Sequence, residues 1–206
     1  IILSFFIYLE LVAWTELSSE LQNSCKAALL ESFRRSNDRT VRNRISDAIS
    51  QVATLVSQYE EWQELMEFLV VSLSSSSETD DSINALLRII SASPDLFSNQ
   101  EAPALSSLVS VLNGAVSSRP GVAVESAQAL SNLTIFFYPD DKRRAVFASV
   151  VTQIIPSIAQ MLSANLDNKE DELAQVLNHC ASLVFECPKL FVGKKSEKHS
   201  ALQDYI

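Results

Sequence analysis

Residues 38–56 read DRTVRNRISDAISQVATLV, and this stretch decides how the rest of the chain is understood. Val41, Ile45, Ala48, Ile49, Val52, Leu55 and Val56 recur at the three- and four-residue spacing that gathers them on one side of an α-helix. Asn37 or Asp38 stands where a side-chain oxygen can cap the first free backbone N–H groups. The same arrangement returns twice downstream. Thr79 or Asp80 precedes Ile83, Leu86, Leu87, Ile89 and Ile90, and Pro120 precedes Val124, Ala127, Leu130 and Leu133. Aligned on Val41, Ile83 and Val124, the steps are 42 and 41 residues.

Each of these helices follows another. Residues 17–35 carry Leu21, Cys25, Ala28, Leu29 and Phe33 on one predicted face, residues 60–73 carry Trp62, Leu65, Phe68 and Leu69, and residues 104–117 carry Leu105, Leu108, Val111 and Leu112. A long helix is expected over 141–164, kinked at Pro156, with a partner over 170–187. Pro94-Asp95-Leu96-Phe97 returns as Pro188-Lys189-Leu190-Phe191, two steps of 47 residues later. Two helices per unit and a period of about 40 to 47 residues describe HEAT or armadillo repeats. The expected fold is therefore all-α, a HEAT-repeat α-solenoid in which antiparallel helix pairs stack so that each buries its apolar face on its neighbours. The helix pairs fall at 17–58, 60–97, 99–138 and 141–191, after an inner helix of a truncated repeat at 1–14 and before a linker or the start of a further repeat at 192–206. The aromatic stretch at 1–14 is interrupted by Ser4 and Glu10, short of the roughly 20 residues that span a bilayer. Without an initiating Met it reads as part of a fragment.

Composition agrees. Of 206 residues only 3 are Gly and 6 are Pro, where average usage gives about 14 and 10. That leaves few tight turns for a many-stranded sheet. The formal net charge of −9 repels phosphate backbones and anionic lipids, which excludes nucleic acid as a general partner and favours basic ligands. Three cysteines, Cys25, Cys180 and Cys187, with no C-x-x-C pair, fit a reducing compartment.

No catalytic constellation emerges, so an enzyme is not expected. His179 and His199 have neither triad nor metal spacing, and His179 with Cys180 and Cys187 lacks a fourth ligand. No glycine-rich phosphate loop exists. No cofactor and no metal are expected. Arg34 and Arg35 complement a helix C-terminus, Arg42 is expected to pair with an acidic neighbour across repeats, and Lys142-Arg143-Arg144 begins a solvated helix. Asp167, Glu170, Asp171 and Glu172 gather more carboxylates before one helix than capping requires.

Several segments resemble the importin-beta superfamily of nuclear transport receptors, the karyopherins. Trp14-Thr15-Glu16-Leu17-Ser18-Ser19-Glu20-Leu21, continued by Ala27-Ala28-Leu29-Leu30-Glu31-Ser32, is similar to the tryptophan and leucine segment that opens an early repeat there. Val41-Arg42 with Ile45, Asp47 and Ala48 resembles the second-helix pattern of HEAT repeats, and Trp62-Gln63-Glu64-Leu65 with Phe68-Leu69 resembles the family's tryptophan-led outer helix. The branch containing importin beta-3 and importin-4-like receptors is the most similar. The resemblance implies an N-terminal HEAT-repeat segment of a receptor that shuttles between cytoplasm and nucleus. It implies three partners: Ran-GTP, protein cargo bearing basic signals, and phenylalanine-glycine nucleoporins. A HEAT-repeat scaffold of the phosphatase-scaffold or condensin kind, binding no GTPase, is the alternative. If second helices line one wall, Asp38, Arg39, Arg42, Asp80, Asp81, Asn84, Glu125, Gln128, Glu170 and Asp171 should face a common protein-binding groove.

Overall fold

The computed structural model describes residues 14–75, 77–163 and 170–190, and among them there are helices and turns but no strand. The expected inner helix at 1–14, apart from Trp14, and the expected linker at 192–206 lie outside the described residues, as do Asp167, Phe191 and His199.

Among the described residues nine α-helices follow one another: α1 (Ser19–Arg35), α2 (Arg39–Val56), α3 (Gln63–Ser74), α4 (Asp80–Ala92), α5 (Ala102–Ser118), α6 (Ala123–Phe137), α7 (Asp141–Arg144), α8 (Ile155–Ser163) and α9 (Glu170–Glu186). Their starts follow the sequence. Ser18 Oγ accepts from the Leu21 N–H at 3.3 Å, Asp38 Oδ1 from Val41 at 2.9 Å, and Thr79 Oγ1 from Ser82 at 3.2 Å. Each of these side chains satisfies one of the donors that a helix start leaves over. Asp140 caps α7 by accepting from Lys142 and Arg143, and the Arg143 N–H above all holds its carboxyl below the ordinary carboxylate pKa.

The helices form two layers. Second helices of the pairs pack in series, α2 on α4, α4 on α6 and α6 on α9, while α3 packs on α5 in the other layer. The pairs close through α1 on α2, α3 on α4, α5 on α6 and α8 on α9. A helix held between two neighbours and its own partner must be apolar on more than one side. Accordingly, α4 buries Ile83, Ala85, Leu86, Leu87, Ile89 and Ile90, and α6 buries small residues, Ser126, Ala127, Ala129 and Ser131, which let neighbouring backbones approach.

Polar bonds between repeats record the period directly. Arg88 Nε donates to Asp47 Oδ1 at 2.7 Å and Asn132 Nδ2 to the Ser91 carbonyl at 2.9 Å, each spanning 41 residues, while Ser93 Oγ reaches the Ser50 carbonyl at 2.9 Å across 43. Those steps are HEAT-like and exceed the 34 residues of a tetratricopeptide repeat.

Four expectations are corrected by the packing. On α1 the buried face is Lys26, Leu30 and Phe33, whereas Leu21, Cys25 and Ala28 are exposed and Leu29 is half-buried. The aliphatic stem of Lys26 lies in the core with its ammonium 5.9 Å from the Trp62 ring centroid and paired with Glu60. On α2 the buried line is Ser46, Ile49, Ser50, Ala53 and Val56, with Ile45 half-buried and Val41 exposed. Ser46 and Ser50 can be buried because their hydroxyls donate to the Arg42 and Ser46 carbonyls, at 3.0 and 2.9 Å. The third helix begins at Gln63 rather than near residue 60, with Trp62 buried at its entry.

Finally, the expected long helix over 141–164 is broken into α7, a 3-10 turn (Ala145–Phe147), a π turn (Val150–Ile154) and α8. Pro156 has no N–H to give to residue 152 and its ring crowds that carbonyl, so the ladder widens just before it. Leu69, Leu86, Leu130, Ile154 and Leu183 are buried, as expected from the spacing.

Candidate protein-binding groove

The second-helix layer carries a polar cleft of about 420 Å³. Arg39, Asn43 and Asp47 of α2 form one wall, Asn84, Arg88 and Ser91 of α4 the floor, and Glu125, Gln128 and Asn132 of α6 the far wall. Toward the helix N-termini it continues into a second hollow of about 330 Å³, reached by Asp80, Asp81, Gly121, Glu172 and Gln175. The residues at these positions are related by the repeat: Asn43, Asn84 and Glu125 are successive 41-residue equivalents, as are Ser50, Ser91 and Asn132.

The floor is cross-linked along the stack. Arg39 Nε lies 3.6 Å from Asp81 Oδ1, and Arg88 pairs with Asp47. Both pairs are half-exposed, so each contributes at most about 1 kcal/mol to stability. At the N-terminal end Asn84 Nδ2 donates to the Gly121 carbonyl at 3.2 Å, and its Oδ1 is buried without a hydrogen-bond partner among the described residues. A Cβ at Gly121 would meet Asp80 Oδ2 at 2.4 Å, so a larger residue there makes the Asp80 carboxylate rotate aside. Arg119 holds this corner, its guanidinium donating to the Glu78 and Ser75 carbonyls and lying 3.7 Å from Asp80. Five carboxylates (Asp47, Asp80, Asp81, Glu125, Glu172) share the two hollows with two guanidinium groups. A shallow acid-rich trough suits a basic, extended ligand; among the described residues it holds no nucleophile paired with a base.

Six of the ten expected groove residues line these hollows: Arg39, Asp80, Asp81, Asn84, Glu125 and Gln128. The other four do not. Asp38 is spent on capping α2. Arg42, expected to pair across repeats, turns back on its own hairpin, where its guanidinium sits 5.9 Å from the Phe33 ring centroid and donates to the Ser36 carbonyl. The cross-repeat pairs are made instead by Arg39 and Arg88. Glu170 and Asp171 stand exposed in the first turn of α9, and Glu172 and Gln175, lying 47 residues beyond Glu125 and Gln128, take the groove positions. Asn43, Asp47, Arg88, Ser91 and Asn132 were not anticipated; a 41-residue shift from Asn84 finds Asn43, and the others follow by helical spacing.

The remaining polar clusters are occupied by structure. Arg34 and Arg35 pair with Glu31, Arg34 also resting 4.9 Å from the Phe68 ring centroid. Arg143 donates to the Ser98 carbonyl at 2.5 Å and Arg144 pairs with Asp141, so the basic run at 142–144 secures a hairpin. Trp62 is buried and Trp14 partly so, both packed in the core. Among the described residues no group of three His, Cys, Asp or Glu side chains could hold a metal, and no helix is long and apolar enough to cross a membrane.

Comparison with known proteins follows the architecture. Residues 37–195 match a family model described as IPO5-like, TPR repeats. A triple lysine mutant of Kap121p superposes with a TM-score of 0.70 at 23% identity, covering 91% of this chain and 17% of that one. Kap121p bound to Nup53p gives 0.69 at 23% identity over 91% and 17%, and the karyopherin Kap121p bound to the SUMO protease Ulp1p gives 0.67 at 23% over 86% and 16%. The chain thus spans about a sixth of the length of these structures, and at that identity their likeness bears on the fold. No curated protein matches it by sequence.

Proposed function

Because the chain belongs to the IPO5-like family of the importin-beta superfamily, we propose that it is a protein-binding segment from the N-terminal part of a nuclear transport receptor, and that the second-helix groove takes Ran-GTP or basic cargo. The observation that carries this reading is the acid-rich trough itself, which Asp80, Asp81, Glu125 and Glu172 line together. Kap121p is found with Nup53p and with Ulp1p, and by analogy this segment serves a receptor that meets nucleoporins and protein cargo while moving between cytoplasm and nucleus. It works by binding rather than by catalysis.

The test is a pull-down of the protein carrying this segment in its natural context, using Ran loaded with GTP or with GDP. The GTP form should be retained far better. Charge reversal at Asp80 with Asp81 should weaken retention, most at low salt, because exposed interface charges are screened beyond about 10 Å at 0.1 M salt. Equal retention of both nucleotide states, or of neither, would replace the receptor reading with that of a HEAT-repeat scaffold.

A further inference from the structure

The corner between α3 and α4 holds a serine run that the groove does not use. Residues 74–81 read SSSSETDD. Ser77 is exposed and lies in the turn between the end of α3 at Ser74 and the start of α4 at Asp80. Its backbone N–H donates to Ser75 Oγ at 3.3 Å, and the two hydroxyls are 2.8 Å apart within the exposed turn. Ser77 is followed by carboxylates one, three and four residues on: Glu78, Asp80 and Asp81. Ser75 has only Glu78 within that reach, and Ser74 only Glu78 at the fourth position.

We propose that Ser77 is a phosphorylation site, modified by a serine kinase whose substrate cleft is basic and selects carboxylates after the acceptor. The Ser77 hydroxyl oxygen attacks the γ-phosphorus of ATP, a new O–P bond forms, the bond to the departing ADP breaks, and the hydroxyl proton passes to the kinase's base. Two features of the chain support the product as well as the substrate. Arg119, mostly buried and rooted in the next repeat, grips the carbonyls of Ser75 and Glu78 on either side of Ser77 and also lies 3.7 Å from Asp80. A phosphoserine held between those two anchor points meets a guanidinium that already serves a carboxylate and can exchange it for a dianion. The turn also precedes the first turn of α4, where backbone N–H groups favour negative charge. The consequence is local to the groove: Arg119 transfers from Asp80 to the phosphate, and Asp80 becomes free toward the hollow it lines.

The experiment uses the purified chain, an acid-directed serine kinase and ATP labelled at its γ-phosphate, with the modified residue mapped by mass spectrometry. Near-stoichiometric label on Ser77, its loss in Ser77→Ala, and at least a tenfold slower incorporation in Asp80→Asn with Asp81→Asn are the expected results. Both variants change exposed residues, and circular dichroism of each checks that the helices persist. Phosphorus NMR of the modified chain supplies a second readout: the second phosphate pKa should fall below its ordinary value of about 6 and return in Arg119→Gln, whereas Arg119→Lys, which keeps the positive charge, should leave it partly lowered. Absence of label, label mapped to another serine, or incorporation insensitive to the two aspartates would overturn the site. An unshifted phosphate pKa would overturn the part assigned to Arg119.

Discussion

Gly121 and Asn132 show how single residues set the distance between repeats. Gly121→Ala would place a methyl on the end of the Asp80 carboxylate, which must rotate aside and loosen its pair with Arg119. Because the carboxylate is half-exposed, we expect a loss of no more than about 1 kcal/mol by urea unfolding. Asn132 Nδ2 bridges to both the carbonyl and the hydroxyl of Ser91 at 2.9 Å. Asn132→Ala removes both bonds, at about 0.5 to 1.5 kcal/mol each. The cysteines differ chiefly by burial. Cys25 is exposed and should react promptly with a thiol reagent; Cys187 is buried, with burial first and the Glu186 charge second raising its thiol pKa, and should react only on unfolding. At this scale caps were legible, because a cap is a local bond between neighbours in sequence. The turn of Arg42 onto Phe33 was not, since it depends on where α1 ends relative to α2.

Helix faces were harder to assign than helices. Hydropathy spacing located α2 and α4, yet it displaced the buried line of α2 because Ser46 and Ser50 count as polar although their hydroxyls are satisfied within the helix. The same blindness hid Lys26, whose stem packs while its ammonium stays paired. On α4 spacing sufficed, since nearly every apolar residue there is buried. Leu86→Ala should cost about 2 to 5 kcal/mol in chemical denaturation, the range for a core leucine whose site collapses incompletely. On α9, burial of His179 lowers its pKa from 6.5, so the neutral ring is the folded form. As pH falls through 6.5 the unfolded chain takes up a proton that the folded chain resists, and stability drops over that window. His179→Gln should flatten this slope in melting experiments between pH 7.5 and 5.5, values chosen to bracket the transition.

The stack as a whole was readable as a period before any contact was known. The 41-residue step recurs as the span of both the Arg88 to Asp47 and the Asn132 to Ser91 bonds. The fourth second-helix in the groove was misplaced because its step is 47 rather than 41: the broken segment from α7 to α8 is longer than the first helices before it, so Glu172 replaces Glu170 and Asp171 at the wall. The extra residues lie between Phe137 and Glu170, where the single helix expected over 141–164 is broken.

Seen as a mechanical part, the stack is held in two ways. Apolar contacts among α4, α6 and their partners hold the helices together, while the surface of the groove is cross-linked by half-exposed ion pairs, Arg39 with Asp81 and Arg88 with Asp47, whose opening costs little. Raising salt should loosen the charged side first. In small-angle scattering the radius of gyration should drift with ionic strength while helicity by circular dichroism stays constant, and replacing both pairs with neutral residues should remove the drift. Opening the pairs would relax the groove surface while every helix stays folded.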